Sequence, residues 1–439
     1  MKKDAERILS MRVFTDMAFL PLSTSFVERG ALALGLEQKE AMALTLATEE
    51  IFSYLCRIGS SDQGLEIRSS SGHYYVQTEF SCAVKDFNMR LFNLTATISP
   101  EDETSLEQMG LLIASRFVDR LHVQMEPGRG MLLTLIKEKA YPALEAAALP
   151  PARPLDRFSV KRPEPAMLKL FVHLLNTHYP QSLFPMAFRF PGKVVDMVAG
   201  GEVEAGLALG PGGQVGGGIL WHWTSEKTVE FFGPFLFGQD PGSPMAEALL
   251  EACIGAIAKT RAVVLFSLLA TDELPKEHFE ILGTITFFDE KGAGTPHTAY
   301  FRQMREDLGT SSWCHPEMEG FLRREYERLV FPREILLAKD VGETRNPYSV
   351  LSAEFDRTQK RVLLYPLRSG KDAAENLVSH LKLFEKESIR NVFFMMDLGV
   401  PWQADFTPEL LRNGFTPRAV IPYRGEGDMI LFQWGVGLS

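Results

Sequence analysis

Residues 229–259 read VEFFGPFLFGQDPGSPMAEALLEACIGAIAK. Aromatic and β-branched side chains crowd Val229 to Phe237, which predicts a buried strand. A turn rich in Gly and Pro follows. From Pro244 to Lys259 the apolar residues return at three-to-four spacing, as in a helix, with proline tolerated in its first turn. A second apolar strand is predicted at Ala262 to Leu269 (AVVLFSLL).

The same order returns further along the chain. A strand at Val362 to Leu367 (VLLYPL) leads into a helix at Asp372 to Lys386 and a strand at Val392 to Leu398 (VFFMMDL). Each copy then predicts another helix, ending at Leu282-Gly283 in the first and at Asn413-Gly414-Phe415 in the second. Hairpins close both copies, from Thr284 to Phe288 onward and from Ala419 to Gln433. Strand pairs precede them, at Gly206 to Trp223 and Ser349 to Arg357, and helices open them, at Met167 to Tyr179 and Glu317 to Leu329. This diverged repeat places two domains at 166–312 and 313–439.

Upstream, Pro150, Pro151, Pro154, Pro163 and Pro165 remove amide donors and block helix, so 146–165 reads as an extended linker. Residues 1–145 form a first unit. Its pattern is two helices (Thr24 to Leu36, Gln38 to Leu55), strands (Leu65 to Arg68, His73 to Phe80, Met89 to Ala96), a helix (Leu106 to Leu121) and a hairpin (His122 to Gln124, Met131 to Lys137). That order predicts an α/β sandwich with helices on one sheet face, and an α+β chain overall.

Bulk properties narrow the function classes. The 439 residues are 45% apolar and 23% charged, ordinary globular composition with enough length for several cores. A net charge of −10 and the lack of Lys/Arg clusters argue against nucleic-acid binding. Cys56, Cys82, Cys253 and Cys314 are dispersed and read as reduced thiols. The start, MKKDAERILSMRVF, lacks the long apolar run of a signal peptide, and no membrane-spanning stretch follows, so a cytoplasmic location is expected. The nine histidines show no metal-ligand spacing.

Leu46-Ala47-Thr48-Glu49-Glu50-Ile51-Phe52-Ser53-Tyr54, Val84-Lys85-Asp86-Phe87-Asn88 and Gln108-Met109-Gly110-Leu111 keep the order and spacing of three motifs. On these residues the first unit resembles the anti-sigma-factor branch of the GHKL ATPases, which implies a Bergerat-type α/β sandwich. The resemblance implies that Glu50 activates the attacking species, Asp86 receives the adenine amino group and Gly110 belongs to the phosphate cradle. Tyr54 replaces the magnesium-holding Asn, while Asn88 and Gln108 replace glycines. Kinase or ATPase turnover is therefore not expected, and ATP or ADP is a ligand only in a weakened site.

The repeat resembles the GNAT acyltransferase fold, in which a Q/R-x-x-G-x-G/A loop binds the pyrophosphate of acyl-CoA at a helix N-terminus. The first copy carries Gln239-Asp240-Pro241-Gly242-Ser243-Pro244, which implies Gln239, Gly242 and Ser243 as cofactor contacts. The second carries Arg368-Ser369-Gly370-Lys371-Asp372, one residue short, with Arg368 and Gly370 as its counterparts. Its finish, Leu410 to Arg418 with Gly414-Phe415 and Pro417, is similar to the family's ending. For acyl transfer to an amine, His222, Glu230 and Asp397 are the candidate acid–base residues.

These resemblances imply a bacterial regulatory protein: a degenerate GHKL-like module that grips a protein partner, joined to two GNAT-like mixed α/β domains. Of the two, the first is the candidate for acetyl-CoA or another acyl-CoA. Two alternatives stand beside it, an active N-acyltransferase regulated by nucleotide and a ligand-free interaction scaffold.

Overall fold

The computed structural model describes residues 7–83, 93–95, 113–126, 130–142, 149, 151–240, 242–289, 291–338, 346–356 and 359–436. They fall into two compact units, Met1–Pro142 and Ala143–Ser439. Among the described residues no helix is long and apolar enough to cross a membrane.

The first unit begins with strand β1 (Ile8–Phe14), then helices α1 (Leu20–Ala33) and α2 (Gln38–Ile58). Strands β2 (Gly64–Ser71), β3 (Tyr75–Cys82), β4 (Arg120–Glu126) and β5 (Gly130–Glu138) follow. Together they make an antiparallel sheet in the order β1-β2-β3-β5-β4. Alternation explains the sheet, since Leu65 and Ile67 of β2 are buried while Glu66 and Arg68, at the alternate positions, are exposed. On α2 the buried stripe Ala41, Leu44, Ala47, Ile51 and Leu55 recurs at helical spacing and packs on the sheet.

The sequence reading of this unit needs three corrections. β1 was not anticipated. The helix expected to reach Leu121 is described as helical only at 113–117, because pairing to β5 takes over once the Asp119 N–H donates to Ile136 O at 2.9 Å. Of the strand expected at Met89 to Ala96, residues 93–95 are described, and they form a bend and turn.

In the second unit the strands are β6 (Ser159–Lys161), β7 (Glu204–Leu209), β8 (Val215–Trp223), β9 (Thr228–Leu236), β10 (Val264–Ser267), β11 (Glu280–Phe288) and β12 (Gly294–Gln303). Continuing along the chain come β13 (Thr310–Cys314), β14 (Arg333–Leu337), β15 (Val350–Asp356), β16 (Arg361–Arg368), β17 (Asn391–Asp397), β18 (Phe415–Ile421) and β19 (Met429–Trp434). The helices are α3 (Pro165–His178), α4 (Pro191–Gly200), α5 (Met245–Ile257), α6 (Pro316–Arg328), α7 (Ala373–Lys386) and α8 (Thr407–Arg412). One 12-stranded sheet threads all of it, in the order β15-β16-β17-β19-β18-β11-β12-β10-β9-β8-β7-β6, with β13 and β14 as a separate parallel pair. The two halves of that order mirror each other about the β18–β11 junction. In each, a helix links two parallel strands, β9-α5-β10 and β16-α7-β17. The helix expected to end at Leu282-Gly283 is absent. Only a short 3-10 turn, Lys276–His278, precedes β11, where Ile281, Thr284, Ile285 and Thr286 favour a strand.

At the junction, backbone pairing between β11 and β18 amounts to one position, Gly283 opposite Ala419. A Cβ on Gly283 would sit 2.0 Å from Arg418 O, so only glycine permits this approach. Side-chain amides then replace a strand partner. Thr286 N–H donates to Gln433 Oε1 at 3.0 Å, and Gln433 Nε2 donates back to Thr286 O. Two residues on, Phe288 N–H donates to Asn391 Oδ1 at 2.8 Å, and Asn391 Nδ2 donates to Phe288 O at 3.0 Å. Both amides are buried, beside an apolar cluster that runs through both halves and pairs Phe287 with Phe393 at 5.6 Å.

Asn391→Ala leaves the Phe288 N–H and C=O unpartnered at a buried junction. Each unmet group costs about 1–3 kcal/mol, so the urea midpoint of the second unit should fall markedly, whereas Asn391→Gln should recover part of the loss.

Candidate functional site

The loop after β9 is where the resemblance places a pyrophosphate, and the chain itself occupies it. Gln239 Oε1 accepts the Leu155 N–H at 3.1 Å, and its Nε2 donates to Arg153 O at 3.2 Å and Phe237 O at 2.7 Å. Both polar atoms of Gln239 are thus committed. Next to it, Gly238 lies so close to Ala152 that a Cβ would meet that residue's carbonyl carbon at 2.8 Å. Ser243 behaves as a helix-start residue, its Oγ accepting the Met245 N–H at 3.4 Å. Gly242 alone faces open space, at φ +84°, and Pro241 lies outside the described residues.

The shorter loop of the second half is closed in the same way. Arg368 donates to Asn346 Oδ1 at 2.7 Å, and the Lys371 N–H donates to Asn346 O at 2.9 Å. A Cβ on Gly370 would sit 2.1 Å from Ser349 N. Residues 346–349 therefore cross this loop as 152–155 cross the other.

Parallel pairing of β9 with β10 covers only Thr228–Glu230, after which β9 runs on to Leu236 paired with β8 but not with β10. The gap beyond is stapled from within. Thr271 donates to Pro234 O at 2.7 Å, and the Tyr179 hydroxyl accepts the Leu236 N–H at 2.8 Å and reaches Glu273 Oε1 at 2.7 Å. Burial, reinforced by Glu273, pushes the Tyr179 phenol well above its usual range, so it stays protonated. In the second half β16 and β17 pair over Arg361–Leu364, and the Trp313 N–H from β13 donates to Leu398 O at 2.7 Å beyond the end of β17. A pantetheine arm needs an open gap between such strands. As arranged, the first half carries side-chain hydrogen bonds across that gap.

Among the acid–base candidates, His222 and Glu230 come together. Opposite each other on β8 and β9, they place Nε2 and Oε2 3.3 Å apart. Arg424, from the β18–β19 turn, approaches the same carboxylate at 3.6 Å. Burial alone would raise the Glu230 pKa, but Arg424, His222 and Arg361 outweigh it and hold the carboxylate below its ordinary 4.5. A carboxylate so stabilised is a weak base. Asp397 lies on the other side of that turn, where it accepts the backbone N–H groups of Gly399, Glu426 and Gly427 at 2.8, 2.7 and 3.0 Å. These bonds fasten the turn.

In the first unit, Glu50 is half-buried on α2 and Tyr54 is 5% exposed in the core. Asp86 and Gly110, with Asn88 and Gln108, lie outside the described residues. No cluster of metal-ligating side chains occurs among the described residues. No disulfide joins the four cysteines, and burial pushes the thiols of Cys56, Cys253 and Cys314 up, Cys56 and Cys314 to about 11, so these three are not ready nucleophiles.

Sequence reasoning missed one charged group. Arg333, fully buried, holds Asp428 at 2.7 Å and Asp307 at 2.8 Å and lies 4.6 Å from the centre of the Tyr423 ring. Burial works against its charge, but the two carboxylates outweigh burial and keep it a cation. Nothing local marks Arg333, Asp307 and Asp428 as a group, since they are far apart in sequence.

Glu230 is depressed in the folded state, so its contribution to stability is present above pH 4.5 and is lost as the pH falls through the lower folded value. Glu230→Gln should cost about 3 kcal/mol at pH 7, because it strands buried cations. Urea titrations across the acid range should show that difference shrinking below pH 4.5; a constant gap would contradict the pairing.

No family model and no curated protein matches the chain. Solved structures similar to part of it include a putative acetyltransferase from Acinetobacter baylyi, 14% identical, with 34% of this chain covering 93% of that one at a TM-score of 0.28. A GNAT-superfamily phosphinothricin acetyltransferase from Sinorhizobium meliloti, solved with AcCoA, is 15% identical over 33% of this chain and 88% of its own, with a TM-score of 0.26. A GNAT-family N-acetyltransferase from Escherichia coli, solved with CoA, is 13% identical over 36% and 86%, with a TM-score of 0.25.

Proposed function

We propose that the chain is a regulatory, partner-holding protein whose second unit is a tandem of GNAT-like halves at 166–312 and 313–439, with acyl transfer shut off. Element order supports the tandem: strand, helix, parallel strand and closing hairpin recur in both halves. The observation that carries the functional reading is the commitment of Gln239 to residues 153 and 155, matched by residues 346–349 on the second loop. Groups that would bind a pyrophosphate are already spent.

In this reading the first unit is a degenerate GHKL-like module that grips a protein. Apolar side chains exposed near its start support that role, among them Phe14, Met17, Leu22 and Met42, each at least 50% exposed. With Tyr54 in place of the magnesium-holding Asn, nucleotide turnover has no obvious support. A second reading, an N-acyltransferase opened by release of the 152–155 segment, draws on the open face of Gly242.

Titrating the full chain with acetyl-CoA and CoA in a thermal-shift assay separates the two. The first reading expects no change in Tm and no thiol release with amine acceptors, because a bound ligand must raise Tm by mass action. Leu155→Ser, which removes the side chain seated on Gly210 and Gly216, loosens the segment. Acyl-CoA binding that appears only in that variant would establish the second reading, and binding by the unaltered chain would overturn the first.

A further inference from the structure

Strand β1 is an edge of the first unit's sheet, and among the described residues it pairs with β2 alone. An edge strand offers its outer N–H and C=O groups to any other strand, so sheets guard their edges with proline, charge or short strands. The opposite edge, β4, ends on Arg120 and Glu126. β1 reads ILSMRVF, with no proline and a single charge at Arg12. Ile8, Ser10, Arg12 and Phe14 are all exposed.

The bonding phase shows which backbone groups of β1 face outward. The Gly72 N–H donates to Tyr75 O at 2.9 Å, so even-numbered residues of β2 bond to β3 and odd-numbered ones to β1. The Thr15 N–H donates to Gln63 O at 3.0 Å, which carries the same phase onto β1. Leu9, Met11 and Val13 therefore direct their backbone groups at β2. Ile8, Ser10, Arg12 and Phe14 direct theirs away from it. On the side-chain level, Met11 and Val13 lie opposite the buried Ile67 and Leu65, on the core face of the sheet.

We propose that the chain forms a homodimer in which β1 pairs antiparallel with the β1 of a second copy, about a twofold axis at Met11, joining the two five-stranded sheets into one. A twofold contact must complement itself, and this register does so on both faces. Ile8 meets the partner's Phe14, Leu9 meets the partner's Val13 and Met11 meets the partner's Met11, all apolar pairs. Ser10 meets the partner's Arg12, and the outward N–H and C=O groups of these two residues fall opposite each other, as a hydrogen-bonded pair requires. A slide of one residue sets outward groups against inward ones. A slide of two sets Arg12 against the partner's Arg12 in one direction and Ile8 against the partner's Arg12 in the other. Strand addition of this kind takes its affinity from the main chain and its selectivity from the side-chain pairs. The pairing rests on the reading of the first unit as a module that grips a protein, and it names a second copy as that protein at the Phe14 end of the apolar surface.

Light scattering of the full chain over a range of concentrations should show a concentration-dependent dimer. Ser10→Pro removes an outward N–H and leaves every bond to β2 in place, a change that edge strands tolerate. It should raise the dimer Kd by about tenfold or more, while the Tm measured at concentrations where both chains are monomeric stays the same. Met11→Cys places two thiols at a non-hydrogen-bonded pair, within disulfide reach, so the oxidised variant should form a covalent dimer beyond any seen with the unaltered chain. Leu9→Cys should not, because its two copies lie about 13 Å apart, four residues along the strand. A chain that stays monomeric at every concentration overturns the pairing and leaves the protein-gripping reading to other partners. A dimer that Ser10→Pro leaves intact, or one that crosslinks through Leu9→Cys rather than Met11→Cys, also overturns it.

Discussion

The second unit depends on how β11 is satisfied along its outer edge. A strand in mid-sheet must pair its N–H and C=O groups on both sides, and β18 supplies a backbone partner only at Ala419. Beyond that point the strands separate, and Gln433 and Asn391 reach in with amides that imitate the donor–acceptor rhythm of a neighbouring strand. Thr286 and Phe288 are two apart, so their N–H groups face the same edge. That spacing lets two side chains do the work of one strand. It also sets a gap between the halves, because an amide side chain holds its partner further away than a backbone does, and a cleft beside Gln359 opens where this imitation ends.

A second constraint fixes the β18–β19 turn against the first half. Arg333 anchors the turn through Asp428 and ties it to Asp307 in the loop after β12. From the turn, Tyr423 O accepts the Ser225 hydroxyl and Pro422 O accepts the Thr228 hydroxyl, while Arg424 reaches Glu230. A buried ion triad recovers little net energy, since the cost of removing three charges from water offsets most of the attraction. What it supplies is geometry. Any other placement of the turn strands a charge in an apolar core, and that penalty selects one arrangement of the halves.

The sequence made the periodic parts of the fold legible. Val229 to Lys259 announced strand, loop and helix because its apolar spacing changes character at Gly238, and the matching run from Val362 exposed the repeat. Short or mixed patterns were not legible. β1 begins directly after a charged start, and the residues before Leu282 carry helix-like charge although β-branched residues after it make a strand. His222 and Glu230 stood out in sequence only as separate candidates, and the register of β8 with β9 is what brings them together. The junction amides did not, because Asn391 and Gln433 look in sequence like ordinary polar residues at strand ends.

The covered loops show how a loop that resembles a pyrophosphate cradle can bind its own chain. Gln239 is well placed to bond whatever lies across the turn after β9, and the geometry that suits a pyrophosphate oxygen also suits a peptide carbonyl or N–H. In this chain the occupant is covalently attached. A tethered segment is always at hand, so it outcompetes a free ligand unless that ligand's interactions exceed the advantage of high effective concentration. Leu155 strengthens the segment by packing against Gly210 and Gly216, where any larger residue would clash. The loop thus stabilises a closed surface.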